Sequence, residues 1–432
     1  MAFTPKFDFV EELRWRGLLH DSMPGTQELL NSEQVSGYCG FDPTADSLHI
    51  GNLVPIALLI HLQRAGHKPV ALVGGATGMV GDPSGKSDER KLLSQEQLTK
   101  NLEGQKKQLK QFLDFDHGDN RAEMVNNYDW FAQFGFLDFI RDVGKHITVN
   151  YMMGKDSVKN RLESGGMSFT EFTYQLVQGY DFYHLYTSMG CKLQLGGSDQ
   201  WGNITTGTEL IRRKAGGEAY AITAPLITKS DGTKFGKSEG GNIWLDRNKT
   251  SPYHFYQFWL NVADDDAIRF IKIYSLKSRA DIEALIHSHT GQEHLRTIQK
   301  ELAAEMTIRV HSEEDLAQAV KATHVFFGAG TQEDLMGLDE PSLSSSLEGM
   351  EKFSVSREEL SGGIPVLDLL AQHTAIFPSK GEARKMMQAQ AISINKMKFT
   401  DINGLVDAGM LLHNRYLVVQ KGKKNYFVVD VK

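Results

Sequence analysis

The sequence predicts an α/β fold built on a parallel sheet, followed by a helical region and a small α+β region. Two apolar strands each run into a glycine turn that opens a helix: residues 68–73 lead into the turn 74–78, and residues 192–195 lead into the turn 196–199. This repeated order is typical of Rossmann-like sheets, which bind ligands at the carboxyl ends of their strands. After residue 252 the pattern changes to amphipathic helical periods with few strand signals.

The domain boundaries follow from changes in composition along the chain. We expect a nucleotide-binding domain over residues 1–250 that carries a helical, aromatic insertion at about 100–181. Amphipathic periods predict a helical domain over 251–327, and a stretch rich in Gly, Ser and Glu predicts a linker over 328–362. A basic helix and short β-like runs then predict a small α+β domain over 363–432.

Composition narrows the class of protein. With 41% hydrophobic and 23% charged residues, the chain is typical of globular proteins, and no segment has the apolar length of a membrane span. The acidic start lacks the apolar stretch of a signal peptide. Cys39 and Cys191 are too few for a disulfide framework or a four-cysteine zinc site, so we expect a cytoplasmic protein with no membrane partner.

Charge is distributed unevenly along the chain. The net charge is −7, yet residues 363–432 carry ten Lys and Arg against five Asp and Glu. A basic module on an acidic protein is typical of binding to a phosphate backbone. A solvated lysine-rich surface is the alternative, and charge alone leaves both open.

A first motif lies where an apolar strand, residues 35–41, gives way to an apolar helix, residues 53–62. The junction contains Thr44, His49 and Gly51. A helix N-terminus holds phosphate through its backbone N–H groups and its dipole, and glycine lets a nucleotide approach the backbone closely. A lone histidine at this place would more often cap or pack, but its neighbours favour a phosphate contact.

A second motif, Lys234-Phe-Gly-Lys-Ser238, sets two lysines three positions apart on a glycine-containing loop. Both ammonium groups can close on the charge that develops as a phosphate departs, and such loops commonly close on a nucleotide and reopen. A solvated Lys-Gly-Lys loop is otherwise common. The lysines predict an ATP site only because His49 lies upstream.

The segment Gly81-Asp-Pro-Ser-Gly-Lys-Ser87 nearly matches a phosphate-binding P-loop. A P-loop has four residues between its glycines, whereas three residues separate Gly81 from Gly85. We therefore exclude a P-loop NTPase. An Asx–Pro turn with a surface lysine is the purely structural alternative for this segment.

A polar stripe is predicted on one face of a helix. Tyr174, Gln178 and Asp181 are spaced i, i+4 and i+7, so their side chains share that face. Such a stripe usually faces solvent, but here apolar residues, Leu176 and Phe182 among them, surround it. We therefore expect the stripe to line a pocket.

A turn after the second strand completes the predicted ATP site. Gly196 and Gly197 let the backbone meet an adenosine, and Asp199 is suited to the ribose hydroxyls, with a tight structural turn as the alternative. No metal-ligand cluster is predicted, since His287 and His289, two apart in a helical stretch, would point to different faces. We expect no protein-bound metal, and Mg²⁺ to arrive with ATP.

These motifs, in this order, resemble the His-Ile-Gly-His and Lys-Met-Ser-Lys-Ser signatures of the class I aminoacyl-tRNA synthetases. Tyr38-Cys-Gly-Phe-Asp-Pro43, Gly81-Asp-Pro-Ser-Gly-Lys86 and the polar stripe are similar to the bacterial tyrosyl-tRNA synthetases in particular. The resemblance implies activation of L-tyrosine by ATP to tyrosyl-adenylate and pyrophosphate, then transfer of tyrosine to the 3′-terminal adenosine of tRNA(Tyr). Positioning and charge stabilisation would carry this chemistry without a protein nucleophile.

The resemblance also implies roles for individual residues. Catalytic contacts with the ATP phosphates would come from Thr44, His49, Lys86, Arg90, Lys234 and Lys237. Tyrosine would be bound by Tyr38, Asp82, Tyr174, Gln178, Asp181 and Gln200, with Asp181 and Tyr38 facing the phenol. ATP would be bound by Cys39, Gly40, Asp42, His49, Gly51, Asn52, Gly196, Gly197, Asp199, Lys234, Phe235, Gly236, Lys237 and Ser238. Asn52 replaces the second histidine of the signature, which reduces that contact to hydrogen bonding.

The end of the chain resembles the S4-type RNA-binding module of bacterial tyrosyl enzymes. This implies an S4-like RNA-binding domain over residues 363–432, in which tRNA phosphates are contacted by Arg384, Lys385, Lys396 and Lys398. The same resemblance implies a homodimer, formed through the region 138–153 and Phe169.

Two other interpretations stay open at this point. A tryptophanyl enzyme shares both ATP motifs, although Asp181 opposite Tyr38 and the basic end of the chain speak against it. A synthetase-fold RNA-binding or splicing factor without catalysis is the other, and the intact His49, Lys234 and Lys237 speak against that.

Overall fold

The computed structural model describes residues 3–84, 93–164, 166–230, 232–233, 235–238, 241–422 and 425–432. The chain forms two compact units, one made of residues 1–250 with 258–310 and the other of residues 251–257 with 311–432.

The first unit is built on a mixed sheet whose inner strands are parallel. Its strands are β1 (Asp21–Ser22), β2 (Ser36–Phe41), β3 (Lys68–Val73), β4 (Glu123–Asn126), β5 (Cys191–Gly197) and β6 (Tyr220–Ala224). They are arranged in the order β1-β6-β5-β2-β3-β4, and only β1 is antiparallel to its neighbour. The order reverses at β2, which lies between β3 and β5, so the carboxyl ends of β2 and β5 border a crevice suited to a ligand.

Helices and one small hairpin complete the first unit. The hairpin pairs β7 (Lys237–Ser238) with β8 (Gly241–Asn242). The helices up to the end of the sheet are α1 (Phe9–Arg16), α2 (Thr26–Ser32), α3 (Leu53–Ala65), α4 (Thr77–Val80), α5 (Gln95–Leu109), α6 (Tyr128–Phe131), α7 (Phe136–Asp142), α8 (Val149–Met153), α9 (Asp156–Ser164), α10 (Phe169–Met189) and α11 (Trp201–Ala215). Those that follow are α12 (Pro252–Leu260), which the division between the units crosses, α13 (Asp264–Tyr274), α14 (Arg279–His289) and α15 (Thr297–Val310).

The second unit is an α+β arrangement with its own apolar core. Its helices are α16 (Glu313–Phe327), α17 (Gln332–Met336), α18 (Glu340–Ser346), α19 (Arg357–Ser361), α20 (Val366–Asp368) and α21 (Lys380–Gln388). Its strands are β9 (Glu351–Val355), β10 (Ile364–Pro365), β11 (Ile392–Ile394), β12 (Met397–Lys398), β13 (Leu405–Val406), β14 (Tyr416–Lys421) and β15 (Asn425–Val431). Five of them form a sheet in the order β12-β11-β14-β15-β9, in which β9 is parallel to β15.

The predicted fold class is confirmed, but the predicted linker over 328–362 is wrong. That segment contains α17, α18, β9 and α19, and β9 is an edge strand of the second sheet. Capping boxes begin two of these helices: Thr331 with Asp334, and Ser356 with Glu359. Gly and Ser are therefore cap and turn residues here, so the segment is an ordered part of the second unit.

A buried histidine is expected to lower the stability of the first unit as the pH falls. His61 on α3 is fully buried, and neither of its ring nitrogens has a hydrogen-bond partner within the described ranges. Burial, and then the charges of Arg16, Arg64 and Arg309, lower the pKa of His61 well below its usual value. The folded chain therefore excludes a proton that the unfolded chain accepts, so this histidine weakens the fold increasingly as pH falls below about 6.5.

We expect His61→Leu to raise the free energy of unfolding of the first unit by about 1–3 kcal/mol, because it removes two unsatisfied buried nitrogens. The gain should be larger at pH 5.5 than at pH 8. Urea unfolding of both chains at the two pH values measures it, with the exposed His287→Leu as the matched control. An equal gain at both pH values would show that His61 is not the group that resists protonation.

Candidate functional site

The candidate site lies where β2 and β5 end. Asp42 follows β2 directly, and Asp199 and Gln200 follow β5. Within β2, Gly40 is exposed although Cys39 is buried, and a Cβ on Gly40 would have no atom closer than Leu72 Cδ2 at 3.9 Å. The end of β2 therefore opens onto free space, as a bound nucleotide would require.

The most deeply buried acid of this region is Asp181, on α10. Its side chain is only 1% exposed. Asn127 Nδ2 donates to its Oδ2 at 3.0 Å, and Trp130 Nε1 donates to its Oδ1 at 2.9 Å. Burial raises the pKa of Asp181 to about 8, although these two donors lower it and the charge of Asp42 raises it further.

Tyr38 on β2 is the second buried polar group of the same region. It is 1% exposed, and its ring packs edge-on against Phe182 with centroids 5.3 Å apart. No group among the described residues hydrogen-bonds its hydroxyl. Burial, and then the charge of Asp181, raise the pKa of Tyr38 well above its usual value, which keeps its hydroxyl protonated.

A hydrogen-bond chain joins the two acids of the crevice. Tyr174 donates its hydroxyl to Asp42 Oδ2 at 2.9 Å, and Thr77 Oγ1 donates to Asp42 Oδ1 at 2.7 Å. Asn127 Nδ2 lies 3.0 Å from Thr77 Oγ1 and also donates to Asp181. The sequence alone missed Thr77, Asn127 and Trp130, although Thr77 lies inside the glycine turn that the sequence singled out.

Asp82 forms a separate polar cluster with residues from the turn after β5. It is 7% exposed, and its Oδ2 accepts a hydrogen bond from Gln200 Nε2 at 2.7 Å. Gln200 Nε2 also lies 3.2 Å from Asp199 Oδ2, and Asn203 Nδ2 lies 3.2 Å from Gln200 Oε1. Gln178, on the same helix as Asp181, is half-buried, and its Oε1 has no partner in the described part of the chain.

The first motif forms a short capping structure before α3. His49 Nδ1 accepts a hydrogen bond from the Gly51 backbone N–H at 3.0 Å, and Asn52 Oδ1 accepts one from the His49 backbone N–H at 3.0 Å. Because Nδ1 is an acceptor, the neutral ring carries its proton on Nε2, so any hydrogen bond that this ring donates comes from Nε2. The side chain of Asn52 is therefore already used to shape the turn. Thr44, earlier in the first motif, is exposed.

The remaining small residues of the predicted ATP site lie close to its polar groups. A Cβ on Gly197 would lie 2.6 Å from Asp199 Oδ1, and one on Gly196 would lie 3.1 Å from Ile204 Cδ1. Only glycine fits at Gly197 without moving Asp199. Cys39 is buried, and burial raises its thiol pKa to about 12, so a ligand would meet its backbone and not a thiolate.

The described part of the second motif lies against the first motif. Gly236 has φ +86°, and a Cβ there would overlap Ile50 Cγ2. Phe235 is buried, with its ring 4.5 Å from that of Phe270. Three of the predicted phosphate-binding residues lie outside the described residues, namely Lys86, Arg90 and Lys234. The side chains of Lys237 and Ser238 are likewise not described.

The predicted RNA-contacting residues lie around α21 and the β11–β12 hairpin of the second unit. Arg384, Lys385 and Lys398 are exposed. Lys396 is half-buried, and its Nζ donates to the Tyr426 hydroxyl at 2.7 Å. Arg384, Lys385 and Lys398 are therefore accessible to solvent, whereas Lys396 also contacts Tyr426 within the second unit.

Two broader features of the described ranges bear on the class of protein. None of the helices there is both long and apolar enough to cross a membrane. In the same ranges, no group of three or more His, Cys, Asp and Glu side chains is arranged to hold a metal ion.

Comparison with known families covers most of the chain. The family model described as "tRNA synthetases class I (W and Y)" matches residues 30–328. A second model, described as "Tyrosine–tRNA ligase SYY-like C-terminal domain", matches residues 343–429. The second match begins inside the segment that composition suggested as a linker.

Individual relatives agree with these models. The tyrosine–tRNA ligase of Bacteroides thetaiotaomicron is 60% identical over 98% of this chain and 100% of its own length. That of Cytophaga hutchinsonii is 61% identical over 98% of this chain and 99% of its own length. The crystal structure of a C-terminally truncated mitochondrial tyrosyl-tRNA synthetase from Aspergillus nidulans superposes with a TM-score of 0.66 at 31% identity, covering 73% of this chain and 92% of that one. The chain therefore belongs to the tyrosine–tRNA ligases of the class I aminoacyl-tRNA synthetase family.

Proposed function

We propose that the pocket between Asp181 and Tyr38 binds the side chain of tyrosine. The observation that carries the proposal is a buried acid close to a buried hydroxyl without a described partner. A phenol can donate to Asp181 and accept from Tyr38, which satisfies both groups. Phenylalanine can do neither, and the tryptophan indole can donate but not accept.

We assign the charged end of tyrosine to the polar groups around it. Tyr174, Gln178 and Asp82 would meet the ammonium group, since they offer two carbonyl or hydroxyl oxygens and a carboxylate. Gln200, held by Asp82 at 2.7 Å, would contact the substrate near its carboxylate. The carboxylate would then face the end of β2, where the ATP phosphates are expected.

The ATP contacts in our proposal follow the two motifs. Thr44 and the Nε2–H of His49 would bind phosphate oxygens, and Lys86, Arg90, Lys234 and Lys237 would hold the charge that develops on the leaving pyrophosphate. Asp199 would bind the ribose, with Gly196 and Gly197 giving close backbone approach. The other residues of the ATP site in this proposal are Cys39, Gly40, Asp42, Gly51, Asn52, Phe235, Gly236 and Ser238.

In the first step, the tyrosine carboxylate attacks the α-phosphorus of ATP, and the bond to the bridging oxygen breaks to release pyrophosphate. In the second step, a terminal ribose hydroxyl of tRNA attacks the tyrosyl carbonyl and AMP leaves. The protein positions both pairs of reacting atoms and stabilises charge, and no side chain forms a covalent intermediate. Mg²⁺ would enter on the ATP phosphates, where it offsets their charge.

We also propose the partners and the setting of the enzyme. Arg384, Lys385, Lys396 and Lys398 would contact tRNA phosphates, because three are exposed and the surrounding module is basic. A homodimer is supported by exposed apolar side chains around the predicted region, among them Phe136, Leu137, Val149 and Phe169. Both cysteines are buried free thiols, which suits the reducing cytoplasm.

ATP–pyrophosphate exchange, dependent on added amino acid, tests the assignment of the pocket. The purified chain with Mg²⁺ is compared with tyrosine, phenylalanine and tryptophan as the only amino acid. We expect exchange with tyrosine alone. Comparable exchange with tryptophan would contradict the role given to Asp181 and Tyr38.

A further inference from the structure

Trp244 lies directly against the histidine of the first motif. The indole and imidazole rings meet edge to face, with centroids 6.0 Å apart and planes at 70°, and the two backbones form an antiparallel bridge. We propose that Trp244 is a positioning residue for His49, which fixes the direction in which the imidazole Nε2–H points. The inference rests on the proposed role of His49 as a phosphate donor.

The backbone beside Trp244 connects the two ATP motifs. The Ile50 N–H donates to the Ile243 carbonyl at 2.9 Å, and the Leu245 N–H donates to the Leu48 carbonyl at 2.9 Å. On its other side, the Ile243 N–H donates to the Gly236 carbonyl at 3.0 Å. Residues 243–245 therefore set the position of the His49 turn relative to the second motif.

Trp244 is held both at its indole and at its backbone. Lys249 Nζ lies over its ring, 4.8 Å from the centroid, and pairs with Asp46 on the loop that leads to His49. The Trp244 backbone N–H donates to Thr250 Oγ1 at 2.9 Å. The cation over the ring restrains the indole, and the backbone bond fixes the segment from which the indole projects, so the indole can restrict movement of the imidazole.

The hydrogen bond within the motif and the ring of Trp244 restrain the imidazole in different ways. The bond from the Gly51 N–H to His49 Nδ1 sets the tautomer, whereas the tilt of the ring plane also depends on the groups that pack against it. A tilt displaces Nε2 from the phosphate it serves, and a misplacement of about 1 Å costs about 100-fold in rate. Trp244 limits this tilt through the edge-to-face contact of its indole with the imidazole.

A double-mutant cycle between the two rings tests the inference. Trp244→Leu should lower kcat for tyrosine-dependent ATP–pyrophosphate exchange about tenfold, with the KM for tyrosine unchanged, because the pocket of Asp181 is untouched. In a His49→Ala chain, Trp244→Leu should lower kcat less than about twofold, because the imidazole that Trp244 positions is gone. An equal loss in both backgrounds would overturn the inference.

Further variants guard against a simple folding defect. Trp244→Phe keeps an aromatic edge and should lower kcat only about threefold. Lys249→Met should lower kcat by about the same factor, because the indole loses the cation above it. Both reductions in kcat should disappear in the His49→Ala chain. Trp15→Leu is the matched control and should leave kcat unchanged. Trp15 lies on α1, and its indole is likewise half-buried and packs beside cations. Full losses of these variants in the His49→Ala chain would contradict the inference.

These experiments distinguish a failure of the positioning role of Trp244 from a failure of the proposed function. If the wild-type chain shows no exchange with tyrosine, the proposed site itself fails. If the wild-type chain is active and His49→Ala lowers its kcat, but the losses at Trp244 and His49 are independent, only the positioning role of Trp244 fails.

Discussion

Asp181→Asn is expected to lower kcat/KM for tyrosine in ATP–pyrophosphate exchange by about 10- to 150-fold. A hydrogen bond to a charged group is worth about 1.5–3 kcal/mol, which converts to that range. The amide also disturbs the site itself, because Asn127 and Trp130 both donate to Asp181 and an amide has only one acceptor oxygen for them. The phenol would therefore lose its charged partner, and one buried donor would lose its acceptor.

The matched control for this change is Asp129→Asn. Asp129 is an exposed carboxylate on α6, one position from Trp130, so it tests the loss of a nearby charge without the loss of a pocket group. It should change kcat/KM by less than about twofold. Unaltered exchange by Asp181→Asn, with the chain folded by circular dichroism, would remove Asp181 from the tyrosine pocket.

Gly236→Ala is expected to slow adenylate formation strongly without weakening the binding of tyrosine. Gly236 has φ +86°, and its added Cβ would overlap Ile50 Cγ2 in the first motif. Overpacking of this kind costs about 1–3 kcal/mol, which is about 5- to 150-fold in rate if the two motifs are forced apart in the transition state. Rapid-quench measurement of adenylate formation at saturating tyrosine gives this rate.

Gly232→Ala is the control that separates the effect of the overlap with Ile50 from the effect of the left-handed backbone conformation. Gly232 has a similar φ of +81°, but a Cβ there would have open space around it. Both variants therefore bear the cost of a left-handed alanine, and only Gly236→Ala bears the overlap with Ile50. Equal rates for the two variants would show that contact between the motifs does not limit the reaction.

The polar stripe shows what the sequence could predict about the site. Tyr174, Gln178 and Asp181 share one helical face because their spacing follows the helical period. Their apolar neighbours indicated a pocket, and the structure buries Tyr174 and Asp181 on α10. Local periodicity sufficed here because a single helix carries all three residues.

The partners of Asp181 could not be predicted in the same way. Asn127 and Trp130 reach it across separations of 54 and 51 residues. No periodic pattern marks Asn127, which lies just before α6, or the indole of Trp130 within that four-residue helix as a partner of Asp181. The available signal was weak: Asn127 follows β4, a four-residue strand inside a region whose composition suggested only helices.

The predicted linker failed for a related reason. Gly and Ser in 328–350 suggested a flexible chain, whereas the decisive contact is the pairing of β9 with β15, far along the sequence. Local signals were nevertheless present, because Thr331 with Asp334 and Ser356 with Glu359 have the spacing of capping boxes.

In our proposal, Asp181 is the buried acid that meets the phenol hydroxyl of tyrosine. In the free enzyme burial raises the pKa of Asp181 to about 8, so at pH 7 the group is mostly protonated. Asn127, Trp130 and the phenol would all donate to this group, which favours its ionised form in the complex. Tyrosine binding should therefore release nearly one proton at pH 7 and almost none above about pH 9. The affinity for tyrosine should accordingly fall as pH drops below about 8.

Titration calorimetry with tyrosine at pH 7, in buffers of different ionisation enthalpy, counts these protons directly. We predict a release of nearly one proton, which is lost in Asp181→Asn and absent when phenylalanine is titrated. Equal heats in all buffers with the wild-type chain would contradict it.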